Sequence, residues 1–210
     1  MSRSDSGKIG RRVGIPLAVA ALAAGAAAAA VLGAYMLYFF RDPERTPPGD
    51  PDAVLAGADG LIAGVADVRE DRYLRADAVR VSIFLGLFDV HVNRAPIAGR
   101  VAFLGYFPGR RFFTFQEKSS EHNQHSKILI EGERSRCLIH QIVGPVCRRV
   151  VYWLELGRHV RKGEPIGMMK FGSRLDMYFP RQDVAVVVKR GDRVRAGESV
   201  VARMKGAADR

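Results

Sequence analysis

The sequence predicts a mostly β domain, compact and sandwich- or barrel-like, preceded by a hydrophobic helical segment suited to a membrane. Three observations lead there. No residue from Val13 to Phe40 carries a charge, and a bilayer core asks for only about 20 apolar residues in a row. Beyond Val54 the apolar residues come in short runs divided by glycine or proline, with no sustained helical spacing. One pattern also occurs twice: Gly157-x-x-Val160-Arg161-x-Gly163-Glu164-x-Ile166 returns as Gly191-x-x-Val194-Arg195-x-Gly197-Glu198-x-Val200.

The elements follow in order. Residues 1–12 form a basic tail whose Arg3, Lys8, Arg11 and Arg12 favour the cytoplasmic side. Residues 13–40 form the apolar segment, closed by the aromatic cluster Tyr35, Tyr38, Phe39 and Phe40. Pro16, Gly25 and Gly33 leave both a single crossing and a tight hairpin open. A cleaved signal peptide fits less well, because the run is long and no plausible mature start follows a small-residue site. Residues 41–53, with Pro43, Pro47, Pro48, Gly49 and Pro51, read as a stiff polar linker, and 54–210 as the β domain. Strands are expected at 61–68, 79–85, 99–107, 127–130, 136–143, 150–153, 165–171, 176–179 and 185–188. In the repeated pattern the glycines supply unhindered backbone for a reversal while the valine packs inward. Such turns resemble those of biotinyl- and lipoyl-carrier domains.

A formal net charge of +11 suits either nucleic acid or an anionic membrane surface. Zinc-finger spacing, a recognition-helix pattern and RNP-like aromatics are all missing, so no nucleic-acid partner is expected and membrane attraction is favoured. Cys137 and Cys147 lie in apolar stretches without metal spacing and read as buried thiols, and no metal site is expected.

Four local sequences invite chemistry, and each has an ordinary reading. Ala58-Asp59-Gly60 suits a hairpin turn. The stretch from Phe88 to Pro96 reads as a strand with Asp89, His91 and Asn93 facing water. Gln141 to Gly144 followed by Arg148 and Arg149 suits a strand and a solvated basic turn, and Lys170 to Arg174 a glycine-containing loop.

Together they resemble the short, membrane-associated form of the phosphatidylserine decarboxylase family. The resemblance runs from about Phe39 to the last strands, carried by FFRDPERTPP (39–48), FDVHVNRAPIAG (88–99), QIVGPVCRRVVYW (141–153) and KFGSRLDMYFP (170–180). It implies a proenzyme that cuts itself between Gly172 and Ser173 into a β chain (1–172) and an α chain (173–210). Ser173 becomes a covalent pyruvoyl group, the pyruvate cofactor on which the substrate amine forms a Schiff base. Phosphatidylserine would lose CO2 to give phosphatidylethanolamine. A serine hydroxyl needs a base, and the resemblance assigns a triad of Asp59, His91 and Ser173. Longer bacterial members carry a second histidine where this chain has Arg94, which leaves His91 to serve both self-cleavage and decarboxylation. Arg94, Arg148, Arg149 and Arg174 are candidates for the headgroup phosphate by charge and motif position. The implied partners are phosphatidylserine, anionic membrane lipids and the chain's own two fragments, with exposed strand edges leaving room for a dimer of these. The implied place is the cell membrane, with the catalytic domain on the cytoplasmic side.

His122 and His125 fall in a polar stretch expected to be a surface loop. Two other functions remain open at this stage. One is a non-catalytic carrier, suggested by the paired turns and by Met168-Met169-Lys170-Phe171; the other is a pyruvoyl decarboxylase for a different serine lipid.

Overall fold

A computed structural model describes residues 9–109, 123–144, 150–170 and 173–206. The fold is mostly β with one N-terminal apolar helix, as expected. The helix, α1, spans Ile9–Phe39 without a break, so the segment does not turn back at Gly25 or Gly33. Its Leu17–Phe39 stretch has a mean hydropathy of 2.2 and is long and apolar enough to cross a membrane. Leu17, Leu22 and Leu37 all stand exposed, as they would in a helix made for an apolar solvent.

A second compact unit begins at Asp42. Its strands are β1 (Ala53–Leu55), β2 (Gly60–Glu70), β3 (Ala76–Leu85), β4 (Val92–Arg94), β5 (Gly99–Phe107), β6 (His125–Glu131), β7 (Arg136–Val143), β8 (Val150–Tyr152), β9 (His159–Val160), β10 (Pro165–Met169), β11 (Ser173–Pro180), β12 (Val184–Val186), β13 (Arg193–Val194) and β14 (Val200–Met204). Eight form one curled sheet in the order β13-β2-β3-β11-β7-β6-β5-β9, a half-barrel. Two three-stranded sheets, β1-β14-β12 and β4-β10-β8, complete the unit. Every pairing is antiparallel, and every expected strand overlaps an observed one.

Alternation builds the core. Val79, Val81, Ile83 and Leu85 of β3 share a buried cluster with Leu175, Met177 and Phe179 of β11 and with Cys137, Ile139 and Val143 of β7. Burying side chains of this size contributes about 1.5–3 kcal/mol each. Cys137 is a buried free thiol, in line with expectation, while Cys147 lies outside the described residues. The opposite face carries a smaller cluster of Leu74, Ala78, Leu129, Leu138 and Tyr178.

The repeated pattern has a definite place. Each copy begins as a two-residue strand at one end of the large sheet: β9 pairs with β5, and β13 pairs with β2. Val160 and Val194 are both buried, and Gly157, Gly163, Gly191 and Gly197 all have left-handed φ, from 76° to 96°. Curling brings the two turns together, since a Cβ built on Gly163 would lie 3.6 Å from the Gly197 carbonyl oxygen.

The proline-containing segment from Asp42 to Ala53 is bound to the β unit by basic side chains. Arg94 donates to Asp42 at 2.6 Å and to the Pro43 carbonyl at 3.2 Å. Arg45 reaches Asp59 and Glu198. Lys162 Nζ donates to the carbonyls of Asp50 and Ala53, while Arg203 pairs with Asp50 and Arg134 with Asp52.

Two local expectations are corrected. His125 opens β6 and is buried, with Nδ1 2.6 Å from the Asn123 carbonyl; a strand partner, β7, holds it out of a surface loop. His122 lies outside the described residues. His91 and Asn93 do not face water either, for both are fully buried where β4 packs into the unit.

Candidate active site

Ser173 is the first residue of β11, the central strand between β3 and β7. Its backbone is paired with Leu85 on one side and Val143 on the other. Gly172 lies outside the described residues, as do Arg148 and Arg149. On the upstream side, the amide of Met169 at the end of β10 donates to the carbonyl of His91 at 3.1 Å. Four chain steps separate Met169 from Ser173, so Met169, which holds the His91 carbonyl, is within about 14 Å of the strand start along the chain.

His91 follows a tight turn that closes β3. The amide of Gly86 donates to Asp89 Oδ2 at 2.8 Å, and the Asp89 amide to the Gly86 carbonyl at 3.2 Å. Asp89 Oδ1 also receives Arg193 at 2.8 Å. This fixes the Asp89 carbonyl, which lies 2.8 Å from His91 Nδ1. A carbonyl only accepts, so Nδ1 carries the proton. In the neutral ring, Nε2 is then the basic nitrogen.

Asp59 stands where β2 begins, and its oxygens are engaged: Oδ2 accepts Arg45 at 2.8 Å and Oδ1 accepts the Ala196 amide at 2.7 Å. No hydrogen bond joins it to His91 among the described residues. The structure therefore does not form the expected carboxylate–imidazole pair, and the Asp89 main chain orients the ring instead. Asp59 does lie near the strand start, because Gly60 packs on Phe84, whose neighbour Leu85 pairs with Ser173.

Arg94 is buried. Besides Asp42 and Pro43 it donates to the Gly163 carbonyl at 3.1 Å, so its described contacts bind the 42–53 segment and the repeat seam rather than an open anion site. Arg174 lies on the sheet face opposite the main core, held by Asp176 through contacts of 2.9 and 3.0 Å.

Residues that sequence reasoning missed form a buried relay beside His91. Ser126 donates to Gln141 Oε1 at 2.5 Å, and Gln141 Nε2 donates to Asn93 Oδ1 at 2.7 Å. All three are fully buried, and Gln141 pairs with Leu175, two residues into β11. Gln141 and Asn93 stood in the quoted motifs, and polar side chains at core-facing strand positions were the available signal. His140, paired with Asp176, is also buried; neither ring nitrogen has a hydrogen-bond partner among the described residues, and burial pushes its pKa well below the usual histidine value. No group of three or more potential metal ligands occurs among the described residues.

Known proteins are similar to this chain in sequence. The family model described as phosphatidylserine decarboxylase matches residues 32–202. A protein of Carboxydothermus hydrogenoformans named phosphatidylserine decarboxylase proenzyme is 42% identical over 172 residues, covering 82% of this chain and 81% of its own. Proteins of the same name from Desulfotalea psychrophila and Symbiobacterium thermophilum are 39% and 38% identical, over 81% and 90% of this chain and 80% and 90% of theirs. On the extent of these matches, the chain belongs to the phosphatidylserine decarboxylase family of enzymes.

Proposed function

We propose that the chain is a proenzyme that cuts itself between Gly172 and Ser173 and then converts phosphatidylserine to phosphatidylethanolamine and CO2. The observation that carries this reading is the setting of Ser173. It opens a central strand paired on both sides, while β10, which ends at Met169, is held in another sheet by β4 and the carbonyl of His91. A cut there leaves β10 and β11 each paired in its own sheet. The small fragment keeps β11 in the middle of the large sheet, with Leu175, Met177 and Phe179 in the core.

In the proposed cleavage the Ser173 hydroxyl attacks the Gly172 carbonyl, and its proton passes to Nε2 of His91. The amide C–N bond breaks as the ester C–O bond forms, and His91 passes the proton on to the departing Ser173 nitrogen. Loss of the Ser173 Cα proton expels the Gly172 carboxylate and leaves dehydroalanine; water then replaces its nitrogen, which departs as ammonia. Residue 173 suits the resulting pyruvoyl group because the ladder with Leu85 and Val143 continues to hold that strand end. The group, when present, supplies an electrophilic carbonyl and a sink for the electrons left as CO2 departs.

His91 keeps the Asp89 carbonyl as its orienting partner and returns a proton to the substrate carbon. Asp59 acts at one remove, holding the β2 start against the second repeat turn through Arg45 and Ala196. The headgroup phosphate is assigned to cations near the motif, among them Arg148, Arg149 and Arg174. The apolar helix fastens the chain to the cell membrane.

Intact-mass measurement of the purified protein tests the reading. A large fragment ending at Gly172 and a small one blocked to N-terminal sequencing are expected, with Ser173→Ala remaining one chain of 23.1 kDa. An uncut wild-type chain that releases CO2 from phosphatidylserine would overturn it.

A further inference from the structure

Cross-strand register aligns Arg193, Leu61, Phe84 and Arg174 in one row across β13, β2, β3 and β11. The row lies on the face away from the main core, since the alternate residues Ile62, Ile83, Leu85 and Leu175 fill that core. Leu61 and Phe84 are exposed there. They border an open cleft of about 680 Å³ whose walls also carry Arg80, Arg174 and Arg190. At the Ser173 end of β3 the chain leaves Leu85 for the Gly86–Asp89 turn, whose tip presents Leu87 at 49% and Phe88 at 70% exposure. Arg193 pins that tip through Asp89.

We propose that this tip and cleft form a docking surface for a bilayer containing anionic phospholipid, with Leu87 and Phe88 entering the acyl region and Arg190 and Arg193 meeting lipid phosphates. Large apolar side chains grouped at one exposed site mark an interaction surface, and cations interleaved with them select an interface that is apolar below and anionic above. The chain carries a net charge of +11 to support that attraction. Connectivity points the same way, because the β unit begins at Asp42, directly after a helix long and apolar enough to cross a membrane. A second copy of the chain fits the surface less well, as self-association through it would bring arginine against arginine. The surface rests on the lipid-substrate reading only for its purpose, which is to bring the Ser173 end of the sheet to the headgroups.

The test uses the full chain in lipid nanodiscs, with Trp153→Phe removing the single native tryptophan and Phe88→Trp placing a probe at the tip. With phosphatidylglycerol present, acyl chains carrying bromine should quench the introduced indole. Arg190→Gln should lower the ratio of inserted to free tip about fivefold, the effect of one cation at an anionic surface. An unquenched indole, or equal quenching in purely zwitterionic discs, would overturn the proposal. So would a concentration-dependent blue shift without bromine quenching, which would assign the face to a second copy. As an independent readout, Leu87→Ser/Phe88→Ser should slow decarboxylation of long-chain phosphatidylserine in bilayers while sparing a dispersed short-chain analogue; equal loss on both would count against docking. Failure of the wild type to release CO2 would sink the proposed function and leave the quenching result standing.

Discussion

Arg94 donates to the carbonyl of Gly163 at the seam where the two copies of the repeated turn meet. The same guanidinium holds Asp42 and the Pro43 carbonyl, so one side chain fastens the start of the β unit to the closure of its half-barrel. Only a planar fork with several donors serves partners spread this way.

Arg94→Lys should therefore destabilise the unit by about 1–3 kcal/mol, because a single ammonium cannot replace all three contacts and leaves a buried carbonyl unsatisfied. Urea unfolding followed by circular dichroism would measure it. Stability equal to wild type would show that the seam does not depend on the fork.

The seam glycines should rank by their surroundings. A Cβ at Gly163 would lie 2.6 Å from Pro47 Cγ, and one at Gly197 2.9 Å from Arg94 Cδ, whereas nothing stands within 4 Å of Gly157. All three have positive φ. Alanine at Gly157 should cost about 1 kcal/mol for backbone conformation alone. Gly163→Ala and Gly197→Ala should cost more, as lower melting temperatures would report.

His91→Gln should slow self-cleavage by about 10²–10⁴-fold, the usual span for loss of a general base, with little change in melting temperature. Gel densitometry of the two fragments over time reads the rate. Cleavage at the wild-type rate would remove His91 from that step.

Asp59→Asn separates two roles. The amide can keep the Ala196 contact but loses the ionic partner of Arg45, so stability should fall by about 1–3 kcal/mol while cleavage continues with an unchanged pH profile. A cleavage loss as large as that of His91→Gln would instead restore the carboxylate to a triad.

Acid should find His140. Burial, followed by the positive neighbours Lys127, His125, Arg174 and Arg80, holds its pKa well below the usual value, while unfolding returns it to about 6.5. Below that pH the unfolded chain binds a proton that the folded chain refuses, so stability is lost as pH falls from about 6.5 toward the folded value. His125 adds a smaller loss of the same sign, its pKa being lowered mainly by burial. His140→Phe, which preserves ring packing on Tyr178, should flatten the dependence of melting temperature on pH between neutrality and mild acid.

Much of this was legible in the order of residues. The membrane-length helix follows from composition, because a long uncharged run has few other solvents. Strands such as Gly99–Phe107 and Arg136–Val143 follow from alternation, and the left-handed glycines from a pattern written twice. Short pieces escaped: β9 and β13 have two residues each, too few for any period, and pair only because the sheet ends lie beside them. The Gly172–Ser173 motif marked the family, since its signature is local in sequence.

Side-chain partnership was decided by tertiary structure alone. The family resemblance named Asp59 and His91 together, and folding supplies their hydrogen-bond partners: Arg45 and Ala196 for Asp59, the Asp89 carbonyl for His91. Folding likewise buries Asn93, Gln141 and Ser126 in one relay and commits Arg94 to the seam. The reason is physical: burial removes water as a partner, so each polar group takes whichever donor or acceptor the curled sheet brings within reach.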